Sequence, residues 1–170
     1  MDRVNLLKCL KARMEEDIKD LMLPVRMQKG DTESESRPAT VYTGRLPDMK
    51  STTKKAPYIL NSILVSRFRR RPGQQPEDLV SIRTVYCVYD ENETEGAFLL
   101  LNLMERIRIS LQKNPLLDDR YELNMEDDGI TDVVYPDDTA PYYMAEMLTE
   151  WVMPYVEREG WNIWHQKNQW

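Results

Sequence analysis

Histidine occurs once in this chain, at position 165, cysteine twice, at 9 and 87, and glycine six times. These shortages remove several chemistries together. Cys9 and Cys87 share no CxxC spacing and stand far in sequence from His165, so they give neither a disulfide framework nor a zinc signature, and a reducing compartment fits best. A serine or cysteine nucleophile needs a base within hydrogen-bond reach. His165, beside Trp164 in a polar tail, has no nucleophile motif near it and reads as a surface histidine. None of the glycines falls in GxGxxG or GxxxxGK[ST] spacing, so there is no phosphate-cradling loop. Nowhere do about eighteen apolar residues run together, and the opening MDRVNLLKCLKARMEED lacks the apolar core of a signal peptide. The expectation is a chain made and folded in a cytoplasm, with no membrane contact. Cationic charge is also short: 23 Lys and Arg against 29 Asp and Glu leave −6, which argues against a protein whose main work is neutralising phosphates.

The 170 residues suffice for one domain with a real core, and 41% hydrophobic with 31% charged residues is ordinary for a folded protein. A mean hydropathy of −0.63 makes surface and loops very polar. The chain is organised around residues 79–117. Val80, Ile82, Thr84, Tyr86 and Val88 alternate with Ser81, Arg83, Val85, Cys87 and Tyr89, which predicts a strand. The period then changes. Ala97, Leu100, Leu101, Met104, Ile107 and Leu111 form one helical stripe, opened by Asn92 with Glu95 in capping-box spacing and closed by Asn114-Pro115. Phe98, Leu99, Leu103 and Ile109 widen that stripe, so a cover on more than one side is expected, for instance a second subunit. Cys87, mid-strand, reads as a small core filler.

Residues 2–21 predict an amphipathic helix with Asp2 as cap and Leu7, Leu10, Met14, Ile18 and Leu21 on one face, stopped by Pro24. Val25 to Gln28 suit a short strand. From about 29 to 56 the composition turns to Ser, Thr, Lys and Glu without apolar periodicity, a long loop of the kind that is functional or orders on a partner. Strands over 57–69 and 79–90 then form a hairpin across RPGQQPED. Tyr121, Leu123 and Met125 predict a half-buried strand, a turn-rich acidic loop follows, and 142–153 alternates as a long last strand. The fold class is therefore α+β: a mainly antiparallel sheet of four to five strands with two principal helices packed on it, one domain over 1–170, and a tail at about 158–170.

Several stretches invite contact with a partner. Val41, Tyr42 and Leu46 are apolar anchors inside the polar loop. Arg67, Arg69, Arg70 and Arg71, with Phe68, make the one basic cluster, RFRRR, suited to a subunit contact or a solvated strand end more than to nucleic acid. Trp161, Trp164 and Trp170 stand in a polar tail, where large aromatics favour contact with another surface. Glu126, Asp127, Asp128, Asp132, Asp137 and Asp138 offer oxygen ligands, but EDDGITD lacks the alternation of an EF-hand loop, so a solvated loop is the reading and no metal or cofactor is expected.

RPATVYTGRLP, APYILNSILVSRF, the segment YDENETEG leading into LLNLMERIR, YELN and PYYMAEMLTEWVMP together resemble small tail-terminator or tail-completion proteins of tailed bacteriophages and prophages, over nearly the whole chain. YDENETEG with its helix is the most specific part. The resemblance implies a non-enzymatic α+β virion subunit that closes into a ring, commonly a hexamer, on the head-proximal end of the tail tube. Its implied partners are its own copies, the tail tube protein and the head-tail connector or neck proteins, with DNA only passing through the lumen. Tyr42, Leu46, Arg67, Arg69, Arg70, Arg71, Trp161 and Trp164 are the expected subunit or tube contacts. Three other readings stay open: a head-completion or neck connector protein, a metal-dependent hydrolase using the acidic loop, and a small ligand-binding α+β module with the tryptophans at its site.

Overall fold

The computed structural model describes residues 2–27, 29–47, 55–126, 129–135 and 140–154. Its elements run α1 (Asp2–Ile18), β1 (Leu23–Pro24), β2 (Ser36–Arg37), β3 (Thr40–Thr43), β4 (Tyr58–Arg69), β5 (Glu77–Tyr89), α2 (Glu93–Lys113), β6 (Leu116–Leu117), β7 (Tyr121–Leu123), β8 (Thr131–Val134) and β9 (Tyr142–Val152). The class is α+β, with two helices and a mostly antiparallel sheet. Strand number is a correction. Among the described residues the main sheet holds seven strands, ordered β3-β4-β5-β9-β7-β6 with β8 also on β9, and β1 pairs separately with β2.

The extra strands are short pieces set among turn-forming residues. The supposed loop of 29–56 contains β2 and β3, and β3 lies parallel to β4 in the register Thr40↔Tyr58 to Thr43↔Asn61. β8 rises from the acidic loop because β9 is long enough to pair with β5 along one edge and with both β7 and β8 along the other. The short strand expected at 25–28 is instead at Leu23–Pro24; Val25 follows, its N–H donating to the Glu35 carbonyl at 2.9 Å, and Gln28 lies outside the described residues. The first helix ends at Ile18 rather than at residue 21, and Asp2 sits within its first turn.

Residues alternating along β5 point to two different environments, as a period of two requires. Val80, Ile82, Tyr86 and Val88 join the main core with Ile59, Met147 and Trp151, under both helices. α1 contributes Leu6, Leu10, Met14 and Ile18, and α2 contributes Leu100, Leu103, Met104, Ile107 and Leu111. Arg106 clamps Asp20 through two hydrogen bonds of 2.7 and 3.0 Å, and Arg13 Nε donates to Ser110 Oγ at 2.9 Å, so the helices are tied to each other as well as to the sheet. Asn92 caps α2 by accepting from the N–H groups of Thr94 and Glu95. The capping box is only half made, since the Asn92 N–H donates to Asp90 Oδ1 at 2.8 Å.

The buried polar residues Asn61, Thr84 and Thr149 are paired, as burial demands, whereas the buried Tyr143 hydroxyl has no partner among the described residues. Thr84 Oγ1 donates to Asn61 Oδ1 at 2.7 Å, Asn61 Nδ2 donates to Met14 Sδ at 3.2 Å, and the Trp151 indole N–H donates to Thr149 Oγ1 at 3.0 Å. Gly96 marks a close approach: a methyl group there would overlap the Tyr143 ring, so the first turn of α2 can lie against β9 only without a side chain. No helix among the described residues is long and apolar enough to cross a membrane.

Candidate interaction surface

Neither helix covers the second face of the sheet, and that face divides into two halves. At one end Ala56, Tyr58, Cys87 and Tyr89 form a small buried cluster, with Tyr42, Leu46, Leu60, Tyr142 and Met144 packed against it. Tyr42 stands edge-on to Tyr58 with ring centroids 6.5 Å apart, and Tyr89 meets Tyr142 at 5.4 Å. Burial, together with the neighbouring Cys87, pushes the Tyr58 hydroxyl up to about 12, and burial pushes the Cys87 thiol up to about 11. Tyr42 and Leu46, expected to reach outward from a loop, are thus partly buried anchors that hold the β3 side of the chain on this cluster. Cys87 is the buried filler that the sequence suggested.

At the other end the same face is open. β3 accompanies β4 only as far as Asn61, and beyond it residues 63–69 have no strand on their outer edge among the described residues. Pairing with β5 also slips there: Ile63 faces Ile82 and Val65 faces Ser81, which leaves Leu64 as an extra residue in a bulge. Leu64 is 55% exposed and Val65 45%; Phe68, 63% exposed, stands opposite Asp78 and so lies on the other face of the strand, with Ser66. An apolar edge strand of this length is what folded proteins usually cover or blunt with charge. Arg67 lies across the open face toward Glu150, forming an ion pair within the chain. Burial pushes the Glu150 carboxyl up, but hydrogen bonds from Asn124, Arg67 and Ser81 and the Arg67 charge outweigh it and hold it below the usual value. Alongside lies an open groove of about 300 Å³ whose walls include Leu64, Val65, Arg67, Leu148 and Glu150.

Arg69, Arg70 and Arg71 continue past this pair to the hairpin tip, all exposed. Arg69 and Arg71 border a second shallow depression with Gln74, Gln75 and Glu77. The structure therefore brings the four arginines to one strand end and separates them from Tyr42 and Leu46, which belong to the closed half. Trp161 and Trp164, with Trp170 and His165, lie outside the described residues. On the sheet's far side β8 exposes Val133 and Val134, followed by Tyr135, and no further strand lies on its outer edge among the described residues. Asp132 is tied to Arg108 of α2 at 2.6 Å, and Arg83 pairs with Glu146.

The widened stripe of α2 resolves into two parts. Leu103 is fully buried in the main core, whereas Phe98, Leu101 and Ile109 are exposed on the helix's outer side. Leu101, read as part of the inward stripe, is a correction: the inward turn uses Leu100, Leu103 and Met104 instead. Sequence reasoning missed Leu64, Val65, Val133 and Val134. The signal available for the first two was the run Ile63-Leu64-Val65, which breaks the alternation before RFRRR. Among the described residues no group of three or more His, Cys, Asp or Glu gathers to hold a metal ion. Compared with protein-family models and with the sequences of curated proteins, the chain matches none.

Proposed function

We propose that this chain is a structural virion subunit that assembles into a ring, commonly of six copies, on the head-proximal end of a phage tail tube, stops tube growth and presents a surface for head joining. The observation that carries the reading is the open half of β4, with Leu64, Val65 and Phe68 exposed and an arginine-rich tip beyond them. A subunit that functions alone has little use for an uncovered apolar edge, whereas an assembly subunit needs one. The YDENETEG-helix segment and the aromatic last strand carry the resemblance to tail terminators, and the acidic balance of −6 suits a lumen through which DNA slides without sticking. The partners in this reading are the chain's own copies, the tail tube protein and the connector or neck proteins. It acts in the virion, without catalysis.

Tube growth tests this. Tail tube protein polymerising in the presence of the chain should stop at capped ends, with ring-shaped density at one end only in electron micrographs. Tubes that lengthen at an unchanged rate and carry no density would reject the terminator role, and binding to isolated portal or connector complexes instead would favour the head-completion role.

A further inference from the structure

The main sheet ends differently on its two sides. On one side is the open length of β4, residues 63–69, with Arg67 and then Arg69 and Arg71 at its end. On the other is β8, whose nearby carboxylates are already paired within the chain, Asp132 with Arg108 and Glu146 with Arg83. Both edges expose apolar side chains, Leu64, Val65 and Phe68 on the first and Val133, Val134 and Tyr135 on the second. Neither outer edge carries a further strand among the described residues. The first edge runs into an arginine-rich tip and the second does not.

We infer that the sheet continues from copy to copy, the open edge of β4 in one subunit receiving the outer edge of β8 from the next. Strand sense agrees. β4 is antiparallel to β5, β5 to β9 and β9 to β8, so β4 and β8 run oppositely, and a neighbour placed by simple rotation brings them together antiparallel. The contact is heterologous, joining two different patches, which is the kind that generates rings or filaments rather than closed pairs. Main-chain hydrogen bonds supply the pairing, and the apolar residues of the two edges cover one another. Repulsion selects this order over β4 on β4, which would oppose two arginine-rich tips, whereas β8 brings none.

Register adds a geometric condition. Through β9 and β5, Thr131 stands level with Ser62 and Val134 with Ile59, so β8 lies opposite the part of β4 that β3 already occupies. Reaching the open half requires a stagger of about five residues, roughly 17 Å at the antiparallel rise, across a repeat of four strands that is roughly 19 Å wide. Strands leaning about 40° to the assembly axis absorb that stagger without a climb from copy to copy, a tilt that closed sheets adopt. The inference deepens the ring reading above and rests on it for closure.

The test uses two variants of the full chain, Leu64→Lys with Val65→Lys on one edge and Val133→Lys with Val134→Lys on the other. All four positions are exposed, so both should fold with unchanged circular dichroism. Solution mass is then measured for wild type, each variant and their equimolar mixture, with tail tubes present and absent. The expected result is an assembly for wild type, a 20.1 kDa monomer for each variant, and a one-to-one dimer for the mixture, since only one intact junction remains. Variants that assemble like wild type, or a mixture that stays monomeric, overturn the edge-to-edge contact and leave the terminator reading standing. A wild type that is monomeric under every condition, tubes included, overturns both.

Discussion

β4 is one strand with one continuous partner, yet its two halves have opposite fates. Over residues 58–61 it has β3 on its outer edge, the helix-covered core on one face and the tyrosine cluster on the other. Over 63–69 its strand partner among the described residues is β5 alone, and most of its side chains face solvent. Nothing in backbone propensity separates the halves, since both are rich in β-branched and aromatic residues. The difference is made by what the rest of the chain brings. β3 is only four residues long and stops at Thr43, and the bulge at Leu64 turns the strand where that cover ends. Burial is thus concentrated in the closed half, and the open half is the one that the proposed assembly would use.

Substitutions along this one strand test the contrast most strongly. Ile59→Ala, in the closed half, should lower unfolding free energy by about 2–5 kcal/mol in urea titrations, because Ile59 is fully buried and its loss leaves a cavity. A similar loss from Phe68→Ala would remove the distinction. Gly96→Ala, away from the strand but in the same core, should cost about 1–3 kcal/mol through overpacking against Tyr143, and Tyr143→Ala in the same chain should relieve part of it.

Alkaline titration reads the closed half without mutation. Tyr58 and Cys87 hold their protons to higher pH when folded, up to about 12 and about 11, than their ordinary values of 10.0 and 9.0. Below those ordinary values the groups are protonated in both states and the contribution is intact. Above them the unfolded chain loses protons that the folded chain keeps, so stability should fall from about pH 9 to about pH 12. Tyr58→Phe should lessen the fall above about pH 10, the remainder being held by Tyr86, whose burial also pushes its hydroxyl up, as followed by the urea midpoint across the pH range. The smallest effect belongs to the open half: Phe68→Ala should change stability by no more than about 0.5 kcal/mol while reducing assembly on tube ends.

Much of this was legible in sequence, for stated physical reasons. The period-two alternation of 79–89 and the 3.6-period stripe of 100–111 each bury one face, and the structure places Val80, Ile82, Tyr86, Leu100, Met104, Ile107 and Leu111 in the core accordingly. Asn92 was readable as a cap because a short polar side chain there can accept from the N–H groups that open a helix. β3 was not readable. Thr40-Val41-Tyr42-Thr43 is too short for a period, and its pairing partner lies across residues 44–57. β8 was hidden for the same reason, among turn-forming residues. Of the expected contact residues, the four arginines stand exposed at the end of β4 or just beyond it, while Tyr42 and Leu46 are partly buried because the cluster of Ala56, Tyr58, Cys87 and Tyr89 gives them something to pack on.

Hydrogen exchange, resolved along β4 and β8, measures the contrast and its purpose together. In the isolated chain, amides at 58–61 should exchange slowly and the outward-facing amides of 63–69 and 131–134 quickly. On assembly at tube ends, 63–69 and 131–134 should both slow while 58–61 stays as it was. An assembled ring in which 63–69 exchanges as fast as in the free chain would contradict the claim that this open edge is the assembly surface.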